Sequence, residues 1–113
     1  MASGDEVIRS DKLLQVLLID GATGTVDGPW VDIGPYCHNV SIEVSGITSA
    51  TVTINGSNAN GGLPALATAG TAIGSSITAD TVASLVGPTR YIRARVTGYS
   101  SGTINVYWIS RRI

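Results

Sequence analysis

Cysteine is nearly missing from this 113-residue chain, and Cys37 stands alone, so no disulfide can form within it. Histidine is equally scarce. His38 is the only one and follows Cys37 at the start of a predicted strand, where alternation sends the two side chains to opposite faces. That geometry makes a poor nucleophilic pair, and a zinc site would lack its other ligands. A structural role is expected for both. No hydrophobic run approaches the length of a membrane span, and Asp5 and Glu6 stand where a signal peptide would carry positive charge. The expectation is a protein made and used without export by a cleaved signal, whose Asn-x-Ser matches at Asn39 and Asn55 are then coincidental. Charge is scarce too: 13% of residues are charged, against roughly 25% in ordinary soluble domains. Much of the surface must therefore be Ser, Thr, Gly, Asn and Ala, which suits a subunit packed against others.

The few charges are unevenly placed. Residues 1–32 hold Asp5, Glu6, Asp11, Asp20, Asp27 and Asp32 against Arg9 and Lys12, whereas residues 89–113 hold five arginines and no acid. These are either solvated faces on opposite strands or an acidic end that meets the basic end of a neighbouring copy. A pI near 5.6 lacks the strong basic footprint of a nucleic-acid binder, so neither nucleic acid nor membrane is expected as a partner.

What the chain has in abundance is alternation. Ile92, Ala94 and Val96 alternate with Arg93, Arg95 and Thr97, and Ile104 and Val106 alternate with Asn105 and Tyr107. This is the period of two expected of half-buried strands, and Gly98-Tyr99-Ser100-Ser101-Gly102 between them reads as the loop of an antiparallel hairpin. Residues 39–45 and 50–55 alternate as strictly around Gly46-Ile47-Thr48-Ser49 and read as a second hairpin. Val40, Ile42, Val44, Val52 and Ile54 should face inward, against Ile92, Val96, Ile104 and Val106 of an opposing sheet. Residues 29–35 are a short strand bounded by prolines, begun at an edge or after a turn. Residues 63–67, 72–77 and 81–86 offer weaker strands, with a short helix possible near 63–69. The sum is about eight strands with turn signals between them. This predicts an all-β protein, an antiparallel β-sandwich of jelly-roll or Ig-like type, in one domain over residues 12–113.

Residues 1–11 are polar without periodicity and read as an extended N-terminal arm, mobile or docking. Leu13, Leu14, Val16, Leu17, Leu18 and Ile19 then form a run too apolar for one buried face. A strand is expected, with about half of these side chains needing cover from another subunit. The six, with the outward Arg93 and Arg95, are the candidate contacts to further subunits or to another partner.

A search for chemistry returns little. Asp27 and Asp32 are too isolated to be argued as paired carboxylates, and no Gly-rich loop opens a helix with a lysine. Asp20, Asp27, Asn55, Asn58, Asn60 and Asp80 lie in or beside loops but lack the acid spacing of a calcium motif. No catalytic residue, metal or cofactor is expected, and the chain is not expected to be an enzyme. Trp30, Tyr36, Tyr91, Tyr99, Tyr107 and Trp108 are either a sugar-stacking platform or, in part, core with tyrosines at strand ends.

Taken in order, Gly-Pro-Trp-Val-Asp-Ile-Gly-Pro-Tyr (28–36), His-Asn-Val-Ser-Ile-Glu-Val-Ser-Gly (38–46), Thr-Val-Thr-Ile-Asn-Gly-Ser-Asn (51–58) and the stretch 87–106 resemble small β-sandwich virion proteins of tailed bacteriophages. The resemblance spans residues 24–109 and is greatest to capsid decoration, or cement, proteins. It implies a subunit that binds the outer face of a capsid and stabilises it, with the major capsid protein and copies of itself as partners, a trimer preferred. Its place would be the capsid exterior of the virion, after synthesis in the host cytoplasm. Similar modules occur in phage tails and fibres, which leaves receptor or glycan binding as the alternative.

Overall fold

The computed structural model describes residues 2–58, 71–85 and 89–112. The weak element expected at 63–69, with Asn60 and Gly87-Pro88, lies outside them. The described residues form eight strands and no helix: β1 (Asp5–Arg9), β2 (Leu13–Ala22), β3 (Val26–Asp27), β4 (Val31–Asp32), β5 (His38–Ser57), β6 (Thr71–Ile77), β7 (Thr81–Leu85) and β8 (Tyr91–Arg111). The protein is all-β, and every pairing is antiparallel.

The two expected hairpins are not hairpins. β5 and β8 are single strands of 20 and 21 residues that pair with each other, from His38 opposite Arg111 to Ser57 opposite Tyr91. The first half of β5 has β7 on its other side and the second half has β6, so its two halves cannot also pair with one another. β8 is flanked likewise by β2 along its C-terminal half and by β3 and β4 along its N-terminal half. The segments read as turns are the middle of this ribbon, where the register shifts three times between Ser45 and Thr51. Gly46 (φ 82°) and Gly102 (φ 121°) meet there in the left-handed region. Positive φ serves a bulge as well as a turn, so glycine composition alone does not separate the two.

The inward positions stand as the alternation predicts. Val40, Ile42, Val44, Val52, Ile54, Ile92, Val96, Ile104 and Val106 are all buried and belong to one core with Ala94 and Trp108. They are neighbours in one continuous sheet rather than faces of two, with Val44 opposite Val106 and Val52 opposite Val96. Because residues from both halves of the ribbon share that core, the sheet folds over on itself at the glycine-bearing middle. Ile92 is fully buried, so Ile92→Ala should lower stability by about 2–5 kcal/mol in urea denaturation.

The N-terminal segment is not a free arm: β1 pairs with β2 from Asp5–Leu17 to Arg9–Leu14. The β2 run is also covered from within the chain. Leu14, Val16, Leu18 and Ile19 are fully or almost fully buried in the core, and Leu17 is buried outside that core cluster. A bulge explains why so few face outward. Leu17 pairs with Tyr107 and Ile19 with Val106, so Leu18 is an extra residue that brings both Leu18 and Ile19 to the core side. Of the six proposed contacts only Leu13 keeps intermediate exposure, and the need for a neighbour's surface disappears for the rest.

Candidate interaction surface

The charged ends of the chain are brought together by β8. β3 and β4 lie along its N-terminal half, which sets Asp27 beside Arg95 and Asp32 beside Tyr91 in register. Arg95 Nε donates to Asp27 Oδ1 at 2.6 Å. The Arg90 guanidinium donates twice to Asp32, Nε to Oδ1 at 3.2 Å and Nη2 to Oδ2 at 3.1 Å. At the far end Arg112 reaches Asp11 at 2.7 Å. Three acids of the N-terminal third, Asp11, Asp27 and Asp32, thus pair with arginines of the C-terminal segment within one chain.

Aromatic rings stiffen the same surface. The Arg93 guanidinium lies 4.7 Å from the centroid of Trp30, Arg90 lies 5.3 Å from Tyr91, and Arg9 lies 5.1 Å from Tyr36. Arg9 also donates to Glu6 Oε1 at 2.9 Å and to the Asp32 carbonyl at 3.3 Å, which ties β1 to the start of the β4 turn. Tyr36 donates its hydroxyl to the Ser10 carbonyl at 2.6 Å, fastening the chain just past the same end of β1. Glu6, Arg9, Trp30, Asp32 and Arg90, with Gly4, Val31, Gly34 and Pro35, line an open cleft of about 480 Å³.

Arg93 is the main departure from the alternation argument. It faces away from the core, opposite Asn55, yet is only 7% exposed because Trp30 covers it. An Arg under an aromatic ring contributes packing as well as charge, so Arg93→Ala should cost about 1–3 kcal/mol in the same denaturation experiment rather than the near-zero cost of an exposed residue. Arg95, the other outward contact candidate, is half-buried and held by Asp27. No signal in the sequence marks Trp30 as its cover, since the two are 63 positions apart and meet only through the β4–β8 pairing.

The acids of this layer titrate low. The hydrogen bond from Arg95 holds Asp27 below the ordinary carboxylate range, and those from Arg90 and then the Gly34 amide do the same for Asp32, in both cases against a smaller opposing effect of burial. Arg9 lowers Glu6 in the same way. A carboxylate whose folded pKa lies below its unfolded value adds stability above the unfolded value and loses it as pH falls through the folded one. Stability should therefore decline below about pH 4, and Asp27→Asn with Asp32→Asn should flatten that decline, as thermal melts from pH 2 to 7 would show. Half-exposed pairs are screened, so 0.5 M salt should blunt the same slope.

The remaining sequence candidates do not converge. Cys37 and His38 are exposed and so take no part in the core. Asp80 accepts the Ile47 amide at 2.8 Å and Asn58 accepts the Arg90 amide at 2.9 Å, so these loop oxygens brace turns. Among the described residues no three metal-ligating acids, cysteines or histidines form a group. Of the six aromatics, Trp108, Tyr36 and Tyr91 are buried, and Trp108 sits in the core. No family model, curated protein or solved structure matches this chain.

Proposed function

We propose that this protein is a structural virion protein, a decoration or cement subunit that binds the outer surface of a tailed-phage capsid and stabilises it. The reading joins the resemblance over residues 24–109 to one structural observation, the pre-assembled layer of Asp27, Asp32, Arg90, Arg93, Arg95 and Trp30. These side chains are held in place by ion pairs and ring contacts before any partner arrives. A surface ordered in advance loses little side-chain entropy on docking, which favours a binding face for a large, fixed partner. Its partners would be the major capsid protein and further copies of this chain. The burial of half of the aromatics gives less support to the tail or fibre alternative, because a stacking platform for sugars needs exposed rings.

The test is addition of the purified chain to assembled capsids, free of it, of the phage that encodes it. Saturable co-sedimentation and a higher temperature of capsid disruption are expected, with Arg90→Ser combined with Asp32→Ser weakening both. Absence of binding to such capsids, with binding on a glycan array instead, would overturn the reading.

A further inference from the structure

The two sides of the sheet are guarded unequally. On the β1 side the outermost strand carries Asp5, Glu6 and Arg9 and is bulged between Glu6 and Ile8. β3 and β4 carry Asp27 and Asp32 and are separated by Gly28-Pro29-Trp30. Charges, bulges and prolines of this kind stop a sheet edge from pairing with another chain. On the opposite side β7 reads Thr-Val-Ala-Ser-Leu with no charge, and its ladder to β5 runs from Val40–Leu85 to Val44–Thr81 without a register shift. Among the described residues nothing pairs with its outer edge. Val82 on that edge is 66% exposed, more than any other large apolar side chain described. On the other face of β7 a cleft of about 350 Å³ opens toward β6, lined by Ile42, Ile77, Ala83 and Leu85 together with serines of both strands.

We infer that β7 is a self-association edge, at which a second copy of this chain adds its own β7 about a two-fold axis. This deepens the self-association included in the capsid reading, but its grounds lie in the edge alone. A two-fold axis makes two identical strands antiparallel, the geometry of every other pairing in the sheet. With the axis at Val82, the two Val82 side chains oppose each other and Thr81 opposes Ala83. Asp80 opposes Ser84 with its carboxylate already committed to the Ile47 amide, so no charge meets a like charge. A three-fold arrangement would have to pair β7 with a different edge, and the β1 edge is charged and bulged while the β6 edge is broken by a bulge at Gly74. The symmetric contact matches the neutral, regular strand better.

The test measures the mass of the intact chain by sedimentation from low to high micromolar concentration, with amide exchange followed over residues 81–85. No capsid is used, so this inference and the capsid reading can fail separately. The wild type should approach twice its monomer mass, and the 81–85 amides should slow as it does. Val82→Lys and Val82→Glu should each raise the dimer dissociation constant by more than about tenfold, and their equimolar mixture should restore the dimer by setting opposite charges across the axis. Val82→Thr, neutral and similar in shape, should stay folded and dimeric, which separates loss of pairing from loss of fold. A wild type that remains a monomer up to about 0.5 mM overturns the inference. So does a dimer indifferent to Val82→Lys with unchanged exchange at 81–85, and so does a charge-swapped mixture that stays monomeric.

Discussion

Replacing Trp108 by alanine should lower stability by about 3–5 kcal/mol, among the largest effects expected of any single substitution in this protein. Trp108 is fully buried and heads the largest side chains of the core, paired on one side with Val16 of β2 and on the other with Ile42 of β5. Its indole Nε1 donates to Ser110 Oγ at 2.9 Å, and Ser110 is itself fully buried. The substitution thus leaves a ring-sized cavity between three strands and a hydroxyl without its donor, two costs that add. Trp108→Phe would keep most of the volume and lose only the hydrogen bond, and should recover more than half of the stability. Urea midpoints of the two variants decide this. Similar losses for both would mean that the indole hydrogen bond, and not ring volume, dominates at this site.

Gly46→Ala should be nearly as damaging, at about 2–4 kcal/mol, although it adds a single methyl group. Gly46 has φ of 82°, where an L side chain is strained, and a Cβ there would overlap the carbonyl oxygen of Thr103 across the ribbon. That oxygen is backbone, so relief requires the β5–β8 pairing to move. Gly98 provides the control: its φ of 58° carries the same backbone strain, but a Cβ would have nothing within 4 Å. Gly98→Ala should cost only about 1–2 kcal/mol, the strain alone. If the two alanine variants melt together, close approach of the strands at Gly46 does not hold the bend.

The two segments look like hairpins in the sequence for a physical reason that Gly46 makes plain. A tight turn and a bulged bend both need residues with positive φ, and both are flanked by alternating strands. None of residues 45–49 and 97–103 is buried, so burial lapses at the middle of each strand as it would across a turn, and the alternation on either side does not separate the two. The β2 run misled in the opposite way. Its apolar residues overflow a strict alternation because the bulge at Leu18 turns two successive side chains to the core.

Alternation along the chain determined by itself that this protein is all-β and which side chains of β5 and β8 enter its core, because the two-residue repeat of a strand is a local property that apolar side chains at every second position write directly into the sequence. That no disulfide forms within the chain follows from the single cysteine in the same way. Only the tertiary structure decided that residues 38–57 and 91–111 run as two unbroken strands, that Asp27 and Asp32 close on Arg95 and Arg90, and that Trp30 lies over Arg93. Those pairings join residues up to 68 positions apart. Which strand lies beside which is settled by the competition of whole faces for one core, and no local repeat encodes its outcome.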